Sequence, residues 1–288
     1  MIEQIFRFHQ FVSQHPLGAK NKLGAWKRWL LWQLGSRLLK APMIMPWLEN
    51  ASLVVESGMT GATGNLYCGL HEFNDMALVL HFFGGGPGLF LDVGANIGSY
   101  SVLAAKVGGA SVIALEPVPD TFDKLTRNLL INGIQDRVEA NRAAVGDAPG
   151  SLSFSADRDT MNQVVGADYI GASIQVQVVT LDELLRGRTA QVWKVDVEGF
   201  ERQVLAGASE ALADPDVALV LLEGEDADIK STMRSHGFEE WCYDPFSRRF
   251  SAPEGGLAIG NHVWVRDREQ VEKRCQAARK FQLHDVEF

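Results

Sequence analysis

The chain has 288 residues, 46% hydrophobic and 22% charged, with a formal net charge of −9 at pH 7. That composition belongs to a globular protein large enough for one α/β domain with a smaller extension, and it excludes a disordered chain. The acidic balance excludes nucleic acid as the main partner, because an acidic body repels phosphates.

Three scattered cysteines (Cys68, Cys242, Cys275) make neither a disulfide framework nor a zinc pattern, so a reducing cytoplasm is the expected compartment. Met1 to Gln10 lacks a signal-peptide core, and no run has the roughly 20 apolar residues that a membrane span needs. The first 48 residues differ from the rest. They hold seven basic groups against Glu3 alone, a net of +6 that leaves −15 for residues 49–288. Four of the seven tryptophans (Trp26, Trp29, Trp32, Trp47) lie there too. Leu23 to Lys40 reads as an amphipathic helix with Trp26, Trp29, Leu30, Leu34 and Leu38 near one face. Residues 1–60 are therefore expected to be a helical N-terminal extension. It could serve as a lid, pack on its own domain or on a homodimer partner, or, through residues 20–48, make a peripheral contact with an anionic membrane.

Residues 61–288 read as one Rossmann-like domain. Leu53–Glu56 suggests a strand and His71–Phe83 a helix, stopped by the glycine run 84–88. From there strand and helix alternate. Strands are predicted at 89–94, 110–116, 138–145, 191–197 and 217–223, and helices at 99–107, 119–132, 199–213 and 226–236. This is the pattern of a mostly parallel, doubly wound sheet. Residues 150–156 and 174–180 look like extra strands, 262–265 like a last strand and 267–281 like a last helix.

The turn after the first of these strands reads Gly94-Ala-Asn96-Ile-Gly98-Ser99. Glycines there permit a sharp turn and close approach of a ligand, and the helix start that follows suits an anionic group. The spacing is G-x-x-x-G, not the G-x-G-x-x-G of dinucleotide sites, which favours S-adenosylmethionine over NAD. Glu116, ending the next strand, is placed to accept two ribose hydroxyls. Each strand delivers a carboxylate to the same edge: Asp92, Glu116, Asp147, Asp196 with Glu198, and Glu223. Buried unpaired carboxylates are costly, so the cluster implies ligand hydroxyls, a cationic ligand, a metal or local N–H groups. Asp196 is the first candidate for a base acting on a hydroxyl acceptor, with a cofactor-side or helix-capping role as the alternative. His71 and His262 are further proton acceptors by type, each with a structural role as the alternative. Asp196 and Glu223 together offer hard oxygen ligands for Mg²⁺. Glu72, Glu198 and Glu223 are candidate acceptor contacts. Lys194 reads as an internal ion-pair partner, and Asn128 and Asn132 as helix-terminus residues.

The runs DVGANIGSYS (92–101), LEPVPDTFDKLTRN (115–128), AAVGDAPGSLSF (143–154), TLDEL (180–184) and KVDVEGFERQVLAGA (194–208) resemble the FkbM family of S-adenosylmethionine-dependent methyltransferases. The resemblance covers about residues 68–224, and the KVDVEG run at its distance from the glycine loop is its most specific part. It implies a class I methyltransferase fold, a mostly parallel sheet ending in an antiparallel hairpin. The cofactor set it implies is Asp92, Gly94, Asn96, Gly98, Ser99, Glu116, Pro117, Arg142, Ala143, Asp147 and Asp196. Within that set, Gly94, Asn96 and Gly98 would line the methionine part, Glu116 the ribose, and the Arg142–Asp147 loop the adenine. It also implies methylation of a hydroxyl on a sugar, polysaccharide or natural product, with the acceptor surface drawn from 1–83, 155–173 and 241–262. Two rivals stay open: an NAD(P)-dependent oxidoreductase on a similar sheet, and a non-catalytic cofactor-binding interaction domain.

Overall fold

The computed structural model describes residues 2–39, 41–56, 59–155, 169, 171–197, 199–224, 226–253 and 261–288. Its centre is an eight-stranded sheet formed by β1 (Leu89–Val93), β2 (Ser111–Leu115), β3 (Val138–Asn141), β4 (Val192–Val195), β5 (Leu219–Leu222), β6 (Glu239–Asp244), β7 (Arg249–Ser251) and β8 (His262–Val265). The order across the sheet is β7-β6-β8-β5-β4-β1-β2-β3. Strands β1 to β5 run parallel, while β8 is antiparallel to both β5 and β6. This is the expected mostly parallel sheet with an antiparallel C-terminal end. Alternate residues of the strands feed two cores: Phe90, Val112, Val192 and Leu221 on one face, Leu91, Ile113, Trp193 and Leu222 on the other. Burial on both faces explains why these strands read as continuous apolar runs.

The chain order reverses between β1 and β4, so their carboxyl ends, with that of β2, bound a crevice where such sheets bind ligands. Two predicted elements are broken in the structure. The strand expected at 138–145 ends at Asn141, and Ala144–Val145 instead pairs with Ser173–Val179 in a separate three-stranded sheet that includes Gly150–Ser155. The helix expected at 199–213 divides into Glu201–Ala206 and Ser209–Ala213. Gly207 lies between them, so close to the 146 loop that a Cβ there would sit 2.0 Å from the Gly146 carbonyl oxygen, and its own carbonyl accepts from the Asp182 N–H at 3.0 Å.

The N-terminal residues are not purely helical. Helices Ile2–Gln14, Pro16–Lys20 and Lys22–Leu39 are followed by a hairpin of Met43–Pro46 and Ser52–Val55. Phe8, Leu17, Trp32 and Leu48 are buried in the same cluster as Leu78 and Phe90, so this region shares the sheet's own core. The predicted apolar stripe of the third helix is split. Trp26 and Trp29 pack inward around Phe8, with ring centroids at 4.9 and 5.1 Å, whereas Leu30, Leu34 and Leu38 face outward.

Asn132 ends its helix, with its Nδ2 donating to the Asn128 carbonyl at 2.7 Å, but both asparagines also reach beyond that helix. Asn128 Oδ1 accepts from the Val54 N–H (2.7 Å) and its Nδ2 donates to the Ile97 carbonyl (2.8 Å), while Asn132 bonds the Ser52 N–H and carbonyl. The buried face of the Pro119–Asn132 helix thus ties the hairpin to the glycine loop. Asn128→Ala leaves a buried donor and a buried acceptor without partners, and should cost about 2–4 kcal/mol in urea unfolding. A loss below about 1 kcal/mol would show that the hairpin is held elsewhere.

Candidate functional site

After β1 the backbone turns through two left-handed glycines, Gly94 (φ +76°) and Gly98 (φ +85°), with Asn96 also at positive φ (+52°). The Leu115 carbonyl at the end of β2 accepts from both Gly94 N–H (3.0 Å) and Ala95 N–H (2.9 Å). A Cβ on Gly94 would lie 1.8 Å from the Asp196 carbonyl oxygen, so glycine is what lets β1 and β4 meet at their ends. Gly98 answers a different need, since its Cβ would strike the Leu125 side chain at 2.4 Å. The missing Cβ permits close packing of the Pro119–Asn132 helix.

Glu116 is 6% exposed and braces this loop. One carboxylate oxygen accepts from the Asn96 N–H and the other from the Val118 N–H, both at 3.0 Å. Burial raises its carboxyl to about 7 despite those two donors. A carboxylate has about four acceptor positions, so each oxygen keeps one for a hydroxyl donor. The cleft beside it, about 740 Å³ with its open mouth, is walled by Gly94, Asn96, Glu116, Pro117, Ala143 and Asp196 among others. Phe154 and Phe200 complete it. Neither aromatic stood out in the sequence; the alternation SLSFS around Phe154 was the available signal.

A second cavity, about 630 Å³ with its open mouth, lies on the other side of Gly94, Asn96 and Asp196, which line both. Its remaining wall includes Asn65, His71, Glu72, Ser99, Tyr100 and Lys194. The Lys194 ammonium is buried and sits 2.6 Å from Asp196 Oδ2, the ion pair expected from the sequence. Burial disfavours its charge, but Asp196, Glu72 and Asp92 more than offset this and hold it protonated. Burial raises Asp196, yet the Lys194 charge and a hydrogen bond with Glu223 outweigh it and keep the carboxylate below its ordinary range. The Tyr100 hydroxyl donates to Glu72 Oε2 at 2.8 Å. Burial holds the His71 imidazole below its ordinary value against the pull of Glu72, so it is neutral at pH 7.

The structure places several of the residues named from the sequence away from the walls of the two cavities. Asp92 lines neither cavity: it is fully buried beneath the loop, accepting from Ser101 Oγ at 2.6 Å. Arg142 and Asp147 are exposed on either side of the cleft-lining Ala143–Val145, because the chain leaves the sheet there. His262 lines neither cavity; its Nδ1 is engaged by Glu240 on the neighbouring strand. Glu223 lines neither cavity and hydrogen-bonds to Asp196, which lines both. Glu198 lies outside the described residues, as does part of the expected acceptor surface (156–168 and 254–260). Among the described residues no three His, Cys, Asp or Glu side chains are grouped to hold a metal. No described helix is long and apolar enough to cross a membrane.

Residues 92–240, just over half of the chain, match the model of the Methyltransferase FkbM domain. The chain belongs to the FkbM methyltransferase family. The match spans the end of β1, the glycine loop, Glu116, strands β2 to β5 and the start of β6. Among curated relatives, the hexuronic acid methyltransferase AglP of Haloferax volcanii is 33% identical over 136 residues, 45% of this chain and 53% of its own length. Methyltransferase sdnD of Sordaria araneosa is 28% identical over 203 residues, covering 54% of this chain and 78% of its own. The 31-O-demethyl-FK506 methyltransferase FkbM of Streptomyces tacrolimicus is 29% identical over 207 residues, 58% of this chain and 78% of that one. The chain thus aligns with about half of AglP and about three quarters of the other two. The His71–Glu72 wall and the N-terminal helices precede the matched residues.

Proposed function

We propose that this FkbM-family protein methylates a hydroxyl group of a polyhydroxylated acceptor, a sugar or a related natural product, using S-adenosylmethionine. The observation that carries the reading is the pair of cavities meeting at Gly94, Asn96 and Asp196, one beside the ribose-type carboxylate Glu116, the other walled by hydrogen-bonding side chains. The names of AglP and FkbM, a hexuronic acid methyltransferase and an O-demethyl-FK506 methyltransferase, support a sugar or natural-product acceptor.

The residues present fit the cofactor. Glu116 keeps free acceptor positions for a ribose diol, Phe154 and Phe200 offer flat apolar walls for an adenine, and the loop 94–98 receives the amino-acid end. S-adenosylmethionine supplies, when bound, a methyl group already activated on a sulfonium. The chain's own task is then alignment and proton removal, and alignment of reacting groups alone can supply several kcal/mol. Asn65, Glu72, Ser99 and Tyr100 orient acceptor hydroxyls from three sides. His71, neutral and on the same wall, takes the hydroxyl proton. Asp196 is the poorer base, because Lys194 and Glu223 hold its charge in place; its role is to fix Lys194 and to offer negative charge to a cationic ligand.

The test is calorimetric titration with S-adenosylhomocysteine and with NAD⁺, followed by transfer of ¹³C-methyl from S-adenosylmethionine to hexuronic acids, neutral glycosides and polyketide alcohols, with and without Mg²⁺. Micromolar binding of the homocysteine product, no NAD⁺ binding and a methyl-ether carbon signal are expected. Better NAD⁺ binding would overturn the cofactor assignment. A methyl-ester or N-methyl signal would overturn the hydroxyl assignment.

A further inference from the structure

The helix Lys22–Leu39 carries two apolar stripes, and only one has a partner. Ala25 and Trp32 are buried, and Trp26 and Trp29 pack against the core. On the opposite side Leu23, Leu30, Leu31, Leu34 and Leu38 follow helical spacing along the solvent face. Leu23 and Leu38 are 87% and 81% exposed, and the other three are more than half exposed. Lys27 and Arg37 lie exposed on the same face. A monomer seldom leaves such a row of leucines in water without a use for it. Along the helix itself the charge is of one sign, since no acidic residue occurs between Glu3 and Glu49.

We infer that this leucine face seats the protein on an anionic lipid surface. The exposed leucines would enter the boundary between headgroups and acyl chains, while Lys22, Lys27 and Arg37 meet lipid phosphates. The alternative, pairing with the same face of a second copy, brings the lysines and arginines of both copies together with no acid on either helix to neutralise them. The inward tryptophans take no part, so the contact is leucine and cation, not tryptophan and cation. The opposite face of the helix packs on Thr60–Cys68. Arg28 fixes the two helices together, its Nε and Nη2 donating to the Tyr67 carbonyl at 2.9 and 2.6 Å. Thr60–Cys68 in turn contributes Ala62 and Asn65 to the second cavity.

The experiment is co-sedimentation of the full chain with vesicles of phosphatidylcholine containing phosphatidylglycerol, against phosphatidylcholine alone. Two variants on exposed positions accompany it, Leu30→Ser/Leu34→Ser/Leu38→Ser and Lys27→Glu/Arg37→Glu, with thermal unfolding as the check on folding. Binding to the anionic vesicles should exceed that to neutral ones by about tenfold or more, and each variant should lose about tenfold. Binding should also fall at about 1 M salt, where screening acts within about 3 Å. Equal sedimentation of parent and variants, or no preference for anionic lipid, overturns the inference. So does a sedimentation-equilibrium dimer that the leucine variant dissolves in the absence of vesicle binding. The assay needs neither cofactor nor acceptor, so its failure is separate from any failure of the methyl-transfer reading.

Discussion

Replacing Glu116 with alanine is expected to weaken S-adenosylhomocysteine binding by more than about a hundredfold. The variant loses two charge-assisted hydrogen bonds to a ribose diol, at about 1.5–3 kcal/mol each. It also frees the Asn96 and Val118 N–H groups that shape the loop. The carboxyl group adds a pH signature. Burial holds it at about 7 without ligand, and a diol that donates two hydroxyls binds the ionised form, so affinity should drop about tenfold from pH 8 to pH 6. The stability of the unliganded protein carries the opposite sign. Between about pH 4.5 and 7 the folded chain holds a proton at Glu116 that the unfolded chain has lost, so unfolding becomes easier as pH rises through that window. Glu116→Gln should flatten both profiles. A pH-independent affinity in the parent, or an alanine variant within about threefold of it, would remove Glu116 from the cofactor site.

The second large effect is expected at His71. With an acceptor in hand, His71→Ala should lower kcat by about 10²–10⁴, the usual contribution of a positioned general base. Binding of S-adenosylhomocysteine should stay within about twofold, because His71 lines the second cavity and not the cleft beside Glu116. Burial keeps the imidazole below its ordinary value. The parent rate should therefore hold through neutral pH and fall only on the acid side of the usual imidazole range, where the ring gains a proton and ceases to be a base. An acid limb that survives in His71→Ala and vanishes in Asp196→Asn would give the proton to Asp196 instead.

Much of the cofactor side was legible in the sequence because its causes are local. A buried strand must be apolar along its whole length, a left-handed turn calls for glycine, and Leu89–Ser99 shows both within eleven residues. The Lys194–Asp196 pair was legible for the same reason, being two residues apart. What the sequence concealed depends on long-range packing. His262 has the type of a catalytic residue, but only the register of β6 against β8 puts Glu240 within its reach. Asn128 and Asn132 look like helix ends until the hairpin 43–55 lies beside them. The split of 138–145 follows from a partner strand more than thirty residues downstream. Helix Lys22–Leu39 misled the stripe count because both of its faces are apolar, and only packing shows which one is covered.

The wall shared by the two cavities has one further consequence. Gly94, Asn96 and Asp196 belong to both, and the Gly94 backbone is pressed against the Asp196 carbonyl without room for a methyl group. A ligand that fixes this partition from one side should change affinity on the other, and by thermodynamic reciprocity any such change is equal in both directions. On the proposed reading, S-adenosylhomocysteine and a hydroxyl acceptor should therefore shift each other's Kd by one common factor.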